Sequence, residues 1–229
     1  MYFMHAGNFE GPRASVDSVV FQLIGDELFV LLIKRASDPF AGQWALPGSY
    51  CSGTETIGES MRRALAEKAG ISKEKLGIVE QLYTFDSLER DPRGHAITVS
   101  YMTLSRNLTP KSGPTTQTPQ FFPVSALPEV LAYDHRDIIE YALERLRSKI
   151  LYTNAIVAML PRMFTFTMLQ AAYEAILGKT LDKRNFRKKF LNLDMISPTE
   201  ELIKEGAHRP ARLYRFNQQR LVFLERSFD

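Results

Sequence analysis

At 229 residues the chain can hold one large domain or two small ones, and with 45% hydrophobic and 24% charged residues it has the composition of an ordinary soluble globular protein. Its single cysteine, Cys51, excludes an internal disulfide framework and a cysteine-based zinc site. No apolar run approaches the roughly 20 residues that span a bilayer, and the opening residues lack the basic and apolar regions of a signal peptide, so a cytoplasmic protein with no membrane partner is expected. The net charge of +3 is unevenly spread: from Leu151 onward there are 13 Lys/Arg against 8 Asp/Glu, while the first 150 residues carry 16 against 18. A basic C-terminal part beside a slightly acidic N-terminal part favours a nucleic-acid partner for the former.

The first half alternates strand-like and helical runs. Ser15 to Phe21 and Leu28 to Ile33 are rich in Val, Leu and Ile, with a hairpin turn at Ile24-Gly25-Asp26-Glu27. Thr56 to Lys68 puts Ile57, Met61, Ala64 and Leu65 on one helical face, and Gly70 suits the C-cap. Val79 to Phe85 and Ala96 to Leu104 form a second strand pair, and Thr109 to Pro119 is predicted as a loop. A helix from about Asp134 to Arg147 carries a stripe of Ile138, Ile139, Ala142, Leu143 and Leu146, which suits it to link and pack between two halves.

After Lys149 the pattern changes to short elements. Asn154 to Leu160 and Met168 to Leu177 are helical, the latter capped by Thr165 or Thr167. Gly178-Lys179-Thr180 makes a tight turn before the amphipathic segment Asp182 to Leu191, with Phe186, Phe190 and Leu191 inward. Strands at about Glu200 to Lys204 and Arg212 to Phe216 flank a tip from Glu205 to Ala211. This order is that of a winged helix-turn-helix. The second helix exposes Lys183, Arg184, Asn185, Arg187 and Lys188, where such modules read the major groove. Thr180 either bonds a phosphate or caps the helix, the cap being favoured. His208, Arg209 and Arg212, in and beside a proline-stiffened tip, suit backbone or minor-groove contact. The plainer alternative is a solvated basic helix and hairpin.

Residues 46–71 resemble the Nudix box, the diphosphate-hydrolysing motif Gx5Ex7REUxEExGU. Glu55, Arg63, Leu65, Glu67 and Gly70-Ile71 keep their places, but Ser49 stands for the opening Gly, Ala64 for the Glu after the Arg, and Lys68 for the last Glu. The nearby Gly58-Glu59-Ser60 offers a shifted start, but that frame leaves no Arg-Glu pair. Nudix hydrolases gather several carboxylates to hold Mg²⁺ against phosphate oxygens. With two of four gone and an ammonium added, no catalytic residue and no metal site are expected. The frame around them still suits a nucleoside diphosphate: Lys34, Arg35, Trp44, Gly48, Glu55, Arg63 and Glu67 match positions near substrate in that family. Lys68 either supplies charge where the metal stood or is a solvated helix-end lysine. Tyr83 and Phe85 either stack on a base or pack in the core.

Together with the tail, the chain resembles the NrtR family of Nudix-related regulators of NAD metabolism. The resemblance rests on Gln81-Leu-Tyr-Thr-Phe-Asp86, Arg90-Asp-Pro-Arg-Gly94, Asn185-Phe-Arg-Lys-Lys189 and Arg209-Pro-Ala-Arg-Leu-Tyr-Arg-Phe216. It implies an α+β chain: a Nudix-like α/β/α sandwich with a mixed sheet over residues 1–149, including the linker helix, then a winged helix-turn-helix over 150–229. It further implies a homodimeric repressor of NAD-synthesis or salvage genes on a palindromic operator, with ADP-ribose as the releasing effector, Arg93 near it, and no cofactor or Mg²⁺ needed. The helix from Asp134 to Arg147 is the expected transmitter. Two rival functions are an active ADP-ribose pyrophosphohydrolase, which Ala64 and Lys68 disfavour, and a regulator of arabinose catabolism with the same architecture.

Overall fold

The computed structural model describes residues 11–113, 116–204 and 210–225. Its larger sheet is built on a hairpin, β1 (Arg13–Ile24) and β2 (Glu27–Arg35), antiparallel from Phe21↔Val30 to Ile24↔Glu27 around a turn whose Gly25 has φ 60°. Beyond Phe21 and Val30 the two strands part. Short strands fill the gap: β3 (Trp44–Ala45) pairs with β2 and β4 (Gly48–Tyr50) pairs with β1. On its other side β1 runs parallel to β6 (Ala96–Leu104), which pairs antiparallel with the edge strand β5 (Ile78–Phe85). β7 (Thr116–Pro123) pairs with β2 on the opposite flank, so the last four residues of the expected loop belong to a strand.

Alternation along β1 and β2 assigns the two faces. Val16, Val20 and Leu31 bury against α1 (Ile57–Ala69), meeting Met61, Ala64, Leu65 and Ala69. Val19, Phe21, Val30 and Leu32 face α2 (His135–Tyr152) and its Ile138, Ile139, Ala142, Leu146 and Ile150. Each buried Leu or Ile contributes roughly 1.5–3 kcal/mol, which makes these two interfaces the main source of cohesion. Helix α1 starts at a full capping box, Thr56 with Glu59, and stops at Gly70, whose φ of 64° is cheap for glycine. The expected sandwich with helices on both sheet faces is therefore present, and α2 continues past 149 to Tyr152.

The C-terminal part consists of β8 (Phe164–Thr165), α3 (Phe166–Leu177), α4 (Lys183–Asn192), β9 (Ile196–Ile203) and β10 (Ala211–Phe216), the strands ordered β8-β10-β9. Thr165 caps α3 and Gly178 ends it in the left-handed region. Helix α4 is capped by Asp182, which accepts from the Asn185 N–H at 2.8 Å, so Thr180 is not the cap. The aromatic residues Phe166, Tyr173, Phe186, Phe190 and Tyr214 pack edge to face in its centre. This core is continuous with the α2 face of the large sheet. Among the described residues no helix is long and apolar enough to cross a membrane.

Candidate ligand cavity and nucleic-acid interface

A cavity of about 270 Å³ opens where β1 and β2 separate. Asp17 of β1, Ile33 and Arg35 of β2, Gly48 to Tyr50 of β4, Lys68 of α1, Arg90, Asp91 and Arg93, and Tyr133 and His135 at the entry to α2 surround it. Its floor is a buried charge network. Arg90 donates to Asp134 through Nε at 3.0 Å and Nη2 at 2.9 Å, and to Asp17 at 3.3 Å. His135 Nε2 lies 3.4 Å from the other Asp17 oxygen, while its Nδ1 accepts the Leu46 N–H at 2.8 Å. That acceptor role requires an unprotonated Nδ1, which leaves Nε2 to donate to Asp17. Burial pushes the Asp17 carboxyl up, but His135 and Arg90 outweigh it and hold it below its ordinary value.

The wall above carries a second locked acid. Arg93 grips Asp91 through Nε at 3.0 Å and Nη2 at 2.8 Å, and Tyr50 donates to the same carboxylate at 2.8 Å. The Arg93 bonds hold Asp91 well below the usual carboxylate range against its burial. Arg35 differs: its guanidinium is bound by the Pro39 and Ser37 carbonyls and lies 5.0 Å from the Tyr133 ring centre, so its partners are neutral. Burial, with Arg35 and Arg63 nearby, pushes the Lys68 ammonium down despite Glu67. Arg35 and Lys68 thus place two cations on the lining of the cavity.

On α1, Arg63 gathers what remains of the box. It meets Glu55 at 2.6 Å and Glu67 at 3.3 Å and donates to the Tyr50 carbonyl at 3.0 Å. The Arg63 bonds and a Ser60 hydroxyl bring Glu55 down to about 2. Ala64 is fully buried among Val16, Val20, Leu31 and Met61. Among the described residues no three His, Cys, Asp or Glu side chains converge to hold a metal ion.

Of the residues predicted from sequence, the fold brings Arg35, Gly48, Lys68 and Arg93 to the cavity and sets Glu55, Arg63 and Glu67 behind it, tied through Tyr50. Four others lie elsewhere. Lys34 points to the opposite face of β2 from Arg35, with its ammonium 5.9 Å from the Trp44 ring, and Trp44 packs on Phe122 at 4.7 Å. Tyr83 and Phe85 cluster with Tyr141 of α2. Sequence reasoning missed Asp17, Tyr50, Asp91, Tyr133 and His135. An aspartate inside an otherwise apolar strand was the available signal for Asp17. A second cavity of about 430 Å³, lined by Arg13, Gly94 and His95, shares Tyr50 and Arg93 with the first.

In the C-terminal part, Phe186 and Phe190 anchor α4 and leave Lys183, Arg184, Asn185 and Lys188 exposed. Arg187, also predicted to face DNA, is exposed too, but its guanidinium is engaged within the protein: it donates to the Tyr214 hydroxyl at 2.8 Å and stacks 4.7 Å over the Phe166 ring. Thr180 lies exposed in the turn before α4, and Arg212 is exposed on β10, paired with Leu202 of β9. His208 and Arg209 lie outside the described residues.

The NUDIX domain model matches residues 11–142, and the model for the NrtR DNA-binding winged helix domain matches 156–216. The chain is also 33% identical over 216 residues to the ADPR responsive transcriptional repressor NtrR of Acinetobacter baylyi, covering 93% of this chain and 85% of that one. The chain belongs to the NrtR family. Among solved structures, Shewanella oneidensis NrtR complexed with a 27mer DNA matches with a TM-score of 0.75 at 32% identity, over 89% of this chain and 93% of that one. The NUDIX domain of S. oneidensis NrtR complexed with ADP ribose matches with a TM-score of 0.56 at 32% identity, over 62% of this NrtR-family chain and 94% of that chain. As an NrtR-family member the chain is a transcriptional regulator rather than an enzyme.

Proposed function

We propose that this protein is a cytoplasmic, homodimeric repressor of NAD-synthesis or salvage genes, and that its Nudix domain binds ADP-ribose without hydrolysing it and thereby releases a palindromic operator. The observation that carries the reading is the position of Lys68: an ammonium lines the cavity at the box position that a metal-binding Glu would fill. A diphosphate placed between Arg35 and Lys68 would have its charge met by protein cations instead of Mg²⁺. The two cavities that share Tyr50 and Arg93 offer room for the rest of a dinucleotide-sized ligand.

The residues present do not fit the divalent-cation shell of a Nudix hydrolase. Glu55 and Glu67 both bind one guanidinium, Ala64 brings no oxygen, and Lys68 would repel the ion. The relatives named above, one ADPR responsive and one crystallised with ADP ribose, support this ligand. On the DNA side, α4 presents Lys183, Arg184, Asn185 and Lys188 to the major groove, and Arg212 lies on the wing. Arg187, exposed beside them, ties α4 to Tyr214 and Phe166. The test is a gel shift on the gene's own upstream region with and without ADP-ribose, paired with a hydrolysis assay in Mg²⁺ and Mn²⁺. Retardation that ADP-ribose abolishes is expected, with no turnover. Appreciable hydrolysis, or release by arabinose instead, would overturn the reading.

A further inference from the structure

We infer that the ion pair between Arg90 and Asp134 is the joint that transmits cavity occupancy to the DNA-binding part, with Asp134 as its positioning residue. The inference rests on the ligand and operator proposed above and identifies how the same site would be coupled.

Helix α2 has one end in each half of the molecule. Its start forms a wall of the cavity: Tyr133 and His135 line it, and Tyr133 takes a φ of 55°, a left-handed backbone that disfavours a bulky residue. Arg93 donates to the Tyr133 hydroxyl at 3.1 Å, and Arg35 stacks on its ring. The helix spans 18 residues, about 27 Å at 1.5 Å per residue. At its far end Arg147 Nε donates to the Ile176 carbonyl of α3 at 3.0 Å, and the buried Tyr173 hydroxyl of α3 donates to the Ile150 carbonyl of α2 at 3.2 Å. Movement of α2 therefore carries α3 with it.

Asp134 holds the cavity end. It occupies the N-cap position of α2, where an aspartate ordinarily accepts an N–H of the first turn, yet its side chain makes no capping bond. Both oxygens instead accept from Arg90, whose side chain is only 4% exposed. Arg90 also lines the cavity and holds Asp17. A ligand that draws on Arg90, Arg93 or Tyr133 must therefore alter the seat of α2. A cap to the helix's own backbone would travel with the helix and report nothing.

The experiment compares Asp134→Asn and Asp134→Ser with wild type. The amide keeps the shape but removes the charge, while the hydroxyl can cap α2 and releases Arg90. Melting curves establish that each variant folds, calorimetry gives ADP-ribose affinity of the DNA-free protein, and fluorescence anisotropy gives operator affinity with and without saturating ADP-ribose. In at least one folded variant, ligand-free operator affinity is expected within about threefold of wild type. The ligand-induced loss of operator affinity is expected to shrink at least tenfold. By reciprocity, ADP-ribose affinities of free and DNA-bound variant then converge. Undiminished coupling in every folded variant overturns the joint, and so does a loss of ADP-ribose affinity that is equal in free and bound forms. Wild-type protein that binds no ADP-ribose overturns the function itself, a result that the calorimetry alone reveals.

Discussion

Gly48 is the position where a single methyl group tests the most of this site. A Cβ built there would fall 2.0 Å from Asp17 Oδ1 and 2.6 Å from the Val16 carbonyl oxygen. An ordinary contact is about 3.4 Å, so something must shift by well over an ångström. The carboxylate has nowhere to turn, because Arg90 lies 3.3 Å from one oxygen and His135 3.4 Å from the other. Backbone relief would lift β4 from β1, where Gly48 pairs with Asp17. Losing one charge-assisted hydrogen bond costs about 1.5–3 kcal/mol and overpacking adds about 1–3 kcal/mol. Gly48→Ala is therefore expected to lose roughly 3–6 kcal/mol, a melting decrease of about 6–24 °C for a chain of this size. Differential scanning calorimetry measures it, and titration calorimetry should show weaker ADP-ribose binding in whatever protein remains folded. A decrease below about 2 °C with ADP-ribose affinity unchanged would refute the claim that Asp17 is fixed in place.

Lys68→Glu reverses the charge in the cavity beside Arg35, and ADP-ribose affinity measured by calorimetry in EDTA is expected to fall at least tenfold, about 1.4 kcal/mol. The two kinds of arginine and lysine on α4 separate by assay. Arg187→Ala loses its Tyr214 bond and its place over Phe166, lowering stability by about 1–3 kcal/mol in urea denaturation. Lys188→Ala leaves stability within about 0.5 kcal/mol but makes the salt dependence of operator binding shallower by about 0.9 in log–log slope if it neutralises one phosphate. Glu55 has its folded pKa depressed from 4.5 to about 2 by Arg63, so its contribution is full above about pH 5 and is lost as pH falls toward 2. The difference in melting temperature between wild type and Glu55→Gln should accordingly close across that window, and a difference that grows toward low pH would contradict the pairing.

The sequence was most legible where one residue acts on its near neighbours. The C-cap at Gly70, the N-cap at Thr165, the turn at Gly178 and the apolar periodicity of α1, α2 and α4 depend on near neighbours and read directly, whereas the capping box of Thr56 and Glu59 emerges only in the structure. The winged helix was legible for the same reason. Long-range pairing was not. β3 and β4 are two and three residues long, too short for a period, and exist because β1 and β2 leave backbone groups to satisfy. β7 reads as a polar loop because Thr-Gln-Thr-Pro has no apolar alternation, and only β2 beside it makes it a strand. The cavity floor shows the same limit: Arg90 meets partners 73 and 44 positions away. Trp44 and Lys34 lie away from the cavity because strand parity sets the Lys34 ammonium by the Trp44 ring and Trp44 packs on Phe122, which a tryptophan beside a basic strand end does not reveal in sequence.

The two carboxylates lost from the Nudix box are replaced by residues that are integrated differently, and this decides what could reverse the losses. Lys68 lines the cavity, so its replacement acts first on charge. Ala64 is fully enclosed by Val16, Leu31 and Met61, and a glutamate there must bury its carboxylate or bend it toward position 68, one turn along the same face. A desolvated carboxyl can rise by several pKa units, each worth about 1.36 kcal/mol, and the added bulk brings an overpacking cost besides. Restoring both glutamates would still leave Glu55 and Glu67 on Arg63, which must surrender them before a cation could bind. A hydrolytic centre therefore requires repacking between α1 and β1 and a new partner for Arg63 as well as two carboxylates. The packing of α1 and the charge of the cavity favour retention of an anionic ligand over its cleavage, and the buried link through Arg90 gives that retention a path to α2.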